Sequence, residues 1–385
     1  MKILYAYPKF TNAAGTERIL IDKINYFADK KGYEVFVLTY EQGQHSFIYP
    51  ISHNARHIDL GVRYCELYNY GRLSRFFKWK LYDRLLKKRF SKVVHDYHPD
   101  IVITTTYFVN LLSAISSCKV PFIRVLESHI DRRYILSNNP LNKTNFLHWL
   151  RTWFEMRDLL SKSSCFDVLV ALNRNDAQDW SGYLKSVIIE NLVHLNPMGR
   201  LCSHQSKHAI FVGRYTWQKG VDDLLKIWNI VYSKYPDWHL DMYGEGDLSD
   251  YLLKEAARLQ ANIHVNLPTS NIFDKYLNSS LLLMTSNYEP FGLVMPEAMS
   301  CGLPVIAFDC PSGPANIISD GVDGYLIKNR DISLFADRVC SLIESPALRM
   351  KMGQSAIDSS TRFSPENIMP QWESLFQKLV ATKTR

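Results

Sequence analysis

The chain has 385 residues, 46% hydrophobic and 22% charged, a balance that excludes a disordered chain and provides material for two globular cores. Its seven dispersed cysteines, with no Cys-x-x-Cys pair, exclude a zinc or disulfide framework and fit free thiols in a reducing compartment. No apolar run approaches the ~20 residues needed to span a bilayer, and Met1–Pro8 is too short and polar for a signal peptide, so a cytoplasmic location is expected. The net charge of +7 is uneven: residues 1–195 carry 27 Lys+Arg against 18 Asp+Glu, or +9, and residues 196–385 carry 18 against 20, or −2.

In the first half, strands are predicted at Lys2–Ala6, Glu34–Tyr40, Asp100–Thr106, Phe122–Leu126 and Val168–Leu172. A helix around Glu17–Lys30 follows the first, and this alternation implies a parallel sheet with helices on both faces. Between Arg72 and Lys92 stand nine basic residues and one acid, Asp83, with Leu73, Phe77, Leu81 and Leu85 recurring every four positions. That pattern reads as an amphipathic helix whose Arg75, Lys78, Trp79, Arg84, Lys87, Lys88 and Arg89 suit an anionic membrane surface, on the inner face of the plasma membrane. The alternative is a surface helix whose apolar stripe packs on the sheet and whose charges are merely solvated. No nucleic-acid module accompanies these charges, and no nucleic-acid partner is expected.

A polar stretch from His194 to Lys207 reads as a linker, after which a second alternating series begins. Its strands are predicted at His208–Val212, Leu240–Tyr243, Ile263–Leu267, Leu281–Met284, Val305–Phe308 and Tyr325–Ile327. Helices are predicted at Val221–Tyr235, Leu248–Leu259, Ile272–Leu277 and Glu297–Ser300, with a terminal helix over Pro365–Ala381. The organisation is therefore two Rossmann-like doubly wound α/β domains, residues 1–195 and 196–365, with 366–385 as a terminal helix.

Three segments carry chemistry. Gly213 and Arg214 end a strand, and Lys219 precedes Gly220 and a helix; two cations on a glycine-bearing loop suit a diphosphate. Tyr243-Gly244-Glu245-Gly246 follows the next strand as either a ligand contact or a plain strand-to-helix turn. The densest segment is Glu289-Pro-Phe291-Gly292-Leu293-Val294-Met-Pro296-Glu297. It places two carboxylates eight positions apart, with Pro296 suited to the first helical position. Unpaired N–H groups near Gly292–Val294 suit an anion, and acceptor-only carboxylates suit hydroxyl-rich groups. A glutamate in the first turn of a helix also simply complements its dipole.

Together these segments resemble the glutamate–seven residues–glutamate signature of retaining glycosyltransferases of the GT-B fold, family 4 in particular. The segment Ala307–Leu326 looks like that family's next stretch. The resemblance implies two domains facing across a cleft, 1–195 on the acceptor side and 196–365 binding a nucleotide sugar, with the terminal helix 366–385 crossing back toward the first. It also implies transfer of a hexose or N-acetylhexosamine from a nucleotide-diphosphate sugar, with uridine diphosphate favoured as the carrier. The acceptor it implies is a glycan or lipid-linked glycan of cell-surface polysaccharide synthesis. It assigns Arg214 and Lys219 to the diphosphate, Glu297 to the ribose and Glu289 to the sugar. Gly15, Gly213, Gly244, Phe291, Gly292, Leu293 and Val294 also line the donor site. The loop Asn12–Arg18 stands where the family has Gly-Gly-x-Glu-Arg, here with Ala14 for the first glycine. His129, in Glu127-Ser128-His129, matches a histidine that reaches the reacting sugar, although a lone histidine at a strand end is commonly structural. Arg132, Arg133 and Lys143 are placed on the acceptor side by spacing, and Asn191 at the hinge. No Asp-x-Asp triplet occurs, so metal-independent chemistry is expected, with no cofactor beyond the donor. A sugar-nucleotide epimerase and a non-catalytic nucleotide-sugar-binding subunit are the alternatives.

Overall fold

The computed structural model describes residues 1–106, 108–129 and 146–383, with side chains left aside over 146–152. The chain divides into two compact units: Met1–Glu190 with Met369–Arg385, and Asn191–Ile368.

The first unit is built on a seven-stranded sheet of β1 (Lys2–Ala6), β2 (Glu34–Thr39), β3 (Arg56–Asp59), β4 (Ile101–Thr105), β5 (Ile123–Glu127), β6 (Val168–Ala171) and β7 (Ser186–Ile188). The second has six strands: β8 (His208–Val212), β9 (His239–Tyr243), β10 (Ile263–Asn266), β11 (Leu281–Met284), β12 (Val305–Phe308) and β13 (Gly324–Ile327). Every pairing between these strands is parallel. Parallel strands are covered on both faces, which is why runs such as Leu281–Met284 are apolar throughout and buried at every position.

The sheets share one topology. The orders are β3-β2-β1-β4-β5-β6-β7 and β10-β9-β8-β11-β12-β13. In each, the direction of winding reverses beside the first strand, between β1 and β4 and between β8 and β11. Ligands of open α/β sheets bind at the carboxyl ends of the strands flanking such a reversal. The fold thus marks the loop after β8 and the loop after β11 before any side chain is considered.

Sequence periodicity finds eleven of these strands and misses β3 and β7. Arg-His-Ile-Asp in β3 has one apolar residue and stays partly exposed, and β7 is a three-residue edge. The boundary between units lies at Glu190/Asn191 rather than 195/196. Leu192 and Val193 are buried, and Val193 N–H donates to Phe363 O at 2.8 Å, which ties this segment to the second unit. The terminal helix Pro365–Lys383 leaves the second unit after Ile368. On the first unit, Phe376 packs on Phe27 at 5.2 Å, and Glu373 accepts from Tyr26 Oη at 2.7 Å and pairs with Lys30.

The basic helix forms over Arg72–Tyr97, but its buried residues are Leu86, Phe90, Val93 and Val94. The stripe that the alternative reading packs on the sheet is exposed: Leu73 by 80%, Phe77 by 68% and Leu81 by 59%. Among the described residues, the helix packs on Val109–Ser117 and on the short helix Tyr64–Asn69.

Candidate active site

The second unit's site grows from the β8/β11 reversal. After β8 the chain turns through Gly213 and Arg214, then a short helical turn at Trp217–Lys219. Asn287 N–H donates to Gln218 O at 2.8 Å, and Thr285 Oγ1 donates to Lys219 O at 3.0 Å. The β8 loop is thereby laced to the β11 loop, and Lys219 Nζ is delivered onto Glu289 Oε2. Ser286 Oγ donates to the same oxygen at 3.4 Å. Glu289 is 7% exposed, so the cation and the carboxylate form one largely buried ion pair. The sequence treats them as separate ligand-binding residues. Arg214 is exposed, and its Nη2 reaches Gln218 Oε1 at 3.3 Å.

Gly292 follows three residues later with φ at 92°, a region that L side chains rarely adopt. A Cβ there would lie 2.9 Å from Glu289 Cγ and 2.7 Å from Met295 Cε, so the turn is fitted around the Glu289 side chain. The following helix is Val294–Ser300, which makes Pro296 its third residue rather than its first. Pro296 still lies in the first turn, where no intrahelical N–H is lost. Met295 N–H turns back to Gly292 O at 3.0 Å, and Gly292, Leu293 and Val294 N–H donate to no other described residue. Glu297, 4% exposed, accepts from Tyr276 Oη at 3.3 Å. The Phe291 ring is buried edge-on against Phe363 at 5.4 Å.

Gly244 is explained by packing. A Cβ there would meet Gly213 O at 1.9 Å, so the β9 loop needs glycine to approach the β8 loop. Tyr215 N–H to Glu245 O at 2.9 Å and Leu248 N–H to Tyr215 O at 2.9 Å complete that contact.

In the first unit, Gly15 opens the helix Gly15–Asp29, with Ala14 extended at its N-cap. Two turns of that helix bury Glu17 and Lys23. Glu17 Oε1 accepts from Tyr7 Oη at 3.2 Å, and burial pushes its carboxyl above the usual range. Lys23, 2% exposed, pairs with Glu127 at the carboxyl end of β5, and His129 Nε2 reaches Glu127 Oε2 at 3.2 Å. Burial pushes the Glu127 carboxyl up, but Lys23 and His129 more than offset this and hold it below its ordinary value. His129 is thus joined to a buried ion pair that sequence spacing does not reveal. Arg132, Arg133 and Lys143 lie outside the described residues.

On the basic helix, Arg75 donates to Leu67 O at 3.1 Å and Tyr70 O at 3.0 Å, and Arg89 to Gly61 O at 3.1 Å. These two, expected at a membrane surface, also hydrogen-bond backbone carbonyls beside the helix. Lys87 pairs with Asp83 at 2.7 Å, and Lys78 lies 3.7 Å from the Tyr70 ring centroid. Arg84, Lys88 and Trp79 are exposed. A cavity of about 630 Å³ opens beside the first turns, walled by Tyr64, Tyr68, Phe76 and Trp79, with Arg72 and Glu41 at its edge. Among the described residues, no helix is long and apolar enough to cross a membrane.

Arg330 is the residue of the second site that sequence reading misses. It donates to Ser286 O at 2.9 Å, Thr285 O at 3.0 Å and Asp223 Oδ2 at 2.6 Å, bracing the β11 loop from behind. No local motif marks it, because the contact spans more than forty residues of chain.

Two Rossmann-like parallel sheets of matching topology are the architecture of GT-B proteins. Residues 201–359 match the family model described as glycosyl transferases group 1. An uncharacterized glycosyltransferase of Haemophilus influenzae is 26% identical over 379 residues, 97% of this chain and 99% of that protein. The amylovoran biosynthesis glycosyltransferase AmsD of Erwinia amylovora is 34% identical over 183 residues, 47% of this chain and 51% of that one, so that match spans about half of each. A TarM mutant from S. aureus, crystallised with fondaparinux, alpha-GlcNAc-glycerol and UDP, aligns with a TM-score of 0.76 over 97% of this chain and 99% of that chain. At 15% identity this likeness is one of fold. The group 1 domain, the relatives and the shared architecture support a glycosyltransferase of the GT-B fold.

Proposed function

We propose that this chain is a retaining glycosyltransferase of family 4 that moves a hexose or N-acetylhexosamine from a UDP-sugar, without a metal, to a glycan or lipid-linked glycan in cell-surface polysaccharide synthesis. The observation that carries this reading is the Lys219–Glu289 pair at the β8/β11 reversal, eight residues from the buried Glu297.

The Lys219 ammonium has three donors and uses one on Glu289, which leaves two for phosphate oxygens; Arg214 is exposed beside it. Two cations then meet the charge that develops on the departing diphosphate, the place where electrostatic stabilisation counts most. Gly213 and Gly244 keep the loops thin there, and the N–H groups of Gly292, Leu293 and Val294 add donors. Glu297 is assigned the ribose hydroxyls and Glu289 those of the sugar. Glu289 Oε2 is already engaged by Lys219 and Ser286, which suits a carboxylate that binds rather than attacks. Retention then follows from front-face attack by the acceptor hydroxyl, whose proton passes to the leaving phosphate. His129 is assigned to polarise the sugar near its reacting carbon, and Gly15 to the neighbouring loop. The UDP preference and the surface-polysaccharide setting draw support from the TarM complex and from AmsD.

The exposed apolar residues and cations of the helix Arg72–Tyr97, with the aromatic cavity beside them, favour a membrane-borne acceptor met at the cytoplasmic face. Incubation with labelled UDP-glucose, UDP-galactose and UDP-N-acetylglucosamine, with and without an extracted lipid-linked glycan pool, tests the proposal. Transfer of label to the lipid phase, with an α-configured product by NMR, is the expected result. Turnover of the sugar nucleotide without any acceptor dependence would overturn it.

A further inference from the structure

The buried Lys23–Glu127 pair lies outside the chemistry described so far, yet it ends on His129. We propose that Lys23 and Glu127 are positioning residues for His129, holding its imidazole with the proton on Nε2 and setting the charge it brings to the reacting sugar. This rests on the reading that His129 acts on the donor sugar.

The geometry is specific. Glu127 is the last residue of β5 and His129 lies two residues on, both almost wholly buried. One oxygen, Glu127 Oε2, receives both Lys23 Nζ and His129 Nε2. An ionised carboxylate only accepts, so the imidazole nitrogen facing it must carry the hydrogen. A lone carboxylate at this depth would take up a proton instead; Lys23 prevents that by supplying the counter-charge. Lys23 is itself held on its other side by the Trp372 indole, 4.4 Å from the ring centroid.

A purely structural role accounts poorly for this arrangement. Buried ion pairs are weak sources of stability, and apolar residues of similar volume commonly do as well or better. What an apolar pair cannot do is orient an imidazole and balance its charge. Among the described residues, the groups facing the cluster include Tyr5 on β1, Glu17 on the first helix with the Tyr7 hydroxyl bonded to it, and Asp176, which accepts from Ser128 Oγ at 3.0 Å.

The two partners have opposite signatures. Without the Lys23 charge the Glu127–His129 pair takes up the balancing proton, and the imidazole, ordinarily more basic than a carboxylate, carries it as an imidazolium. Without the Glu127 charge, Lys23 repels it. The test follows the His129 ring resonances by NMR titration in the full chain, assigned by their loss in His129→Gln, for wild type, Lys23→Met and Glu127→Gln. The titration of His129 should move up by about one unit or more in Lys23→Met and down by a similar amount in Glu127→Gln. Both variants should lose at least tenfold in kcat, with donor KM held within about threefold. If Lys23→Met fails to fold, Glu127→Gln decides alone, since it keeps the shape and an acceptor oxygen. Unshifted His129 titration and unchanged kcat in Glu127→Gln would overturn the proposal. The underlying reading fails separately, if His129→Gln itself retains wild-type kcat.

Discussion

Replacing Gly292 by alanine tests whether the turn exists to place Glu289. At φ of 92° an L side chain is strained, by about 1–2 kcal/mol from the cost of left-handed backbone alone. The new Cβ would also stand 2.7 Å from Met295 Cε and 2.9 Å from Glu289 Cγ. Met295 Cε is the end of a flexible side chain and can move. Glu289 has less freedom: its carboxylate is held by Lys219, and its carbonyl accepts from Gly313 N–H at 2.6 Å. The clash is therefore relieved by pushing Glu289 or the turn by several tenths of an ångström. Displacements approaching 1 Å in a reacting site cost about a hundredfold in rate. For the second unit, Asn191–Ile368, about 1–2 kcal/mol corresponds to a fall in melting temperature of roughly 2–8 °C. Gly292→Ala should thus lose about 10–100-fold in turnover, with a smaller loss in UDP affinity, because the turn's N–H donors shift while the Arg214 and Glu297 contacts stay in place. Calorimetry with UDP, a steady-state transfer assay and a thermal melt read the three quantities. Wild-type turnover in a folded variant would refute the claim that this turn exists to place Glu289.

Removing Lys219 should unmask the buried partner. Lys219→Ala is expected to cost about 3 kcal/mol of stability and at least tenfold in UDP affinity, and Lys219→Ala/Glu289→Gln should recover the melting temperature but not the affinity. Glu17 gives a pH signature. Burial raises its folded carboxyl above the unfolded value of 4.5, so its stabilising contribution is complete below that pH and lost as pH rises through the folded value. Glu17→Gln should therefore melt higher than wild type at pH 7.5 and lose that advantage below about pH 4.5, as paired thermal melts would show. Gly244→Ala drives a Cβ to 1.9 Å from Gly213 O and should destabilise by about 3 kcal/mol, checked by denaturant unfolding. Reversing Lys80, Arg84 and Lys88, which spares the carbonyl-bound Arg75 and Arg89, should weaken flotation on vesicles containing about one-third anionic lipid by at least tenfold.

Much of the fold is legible in the sequence because parallel strands must be apolar throughout. Leu281–Met284 and Val305–Phe308 announce themselves this way, whereas Arg56–Asp59 does not, since an edge strand needs no such run. The Glu289–Glu297 segment is legible because glycine, proline and two acids at fixed spacing leave little else to explain them. The pairings are not. Lys219 and Glu289 are seventy residues apart, Lys23 and Glu127 over a hundred, and only the strand order brings each pair together. Helix periodicity finds the basic helix but not what covers its stripe: Leu73, Phe77 and Leu81 recur as a packing stripe would, yet they are exposed.

The most direct test of the account is calorimetric titration of the protein with uridine, guanosine and adenosine diphosphates in the absence of metal, in parallel with Arg214→Ala/Lys219→Ala. The account predicts micromolar binding of UDP alone, reduced at least tenfold in the double variant. Equal binding of UDP by both proteins would contradict the assignment of these two cations to the diphosphate, and binding of none of the three would contradict the donor class itself.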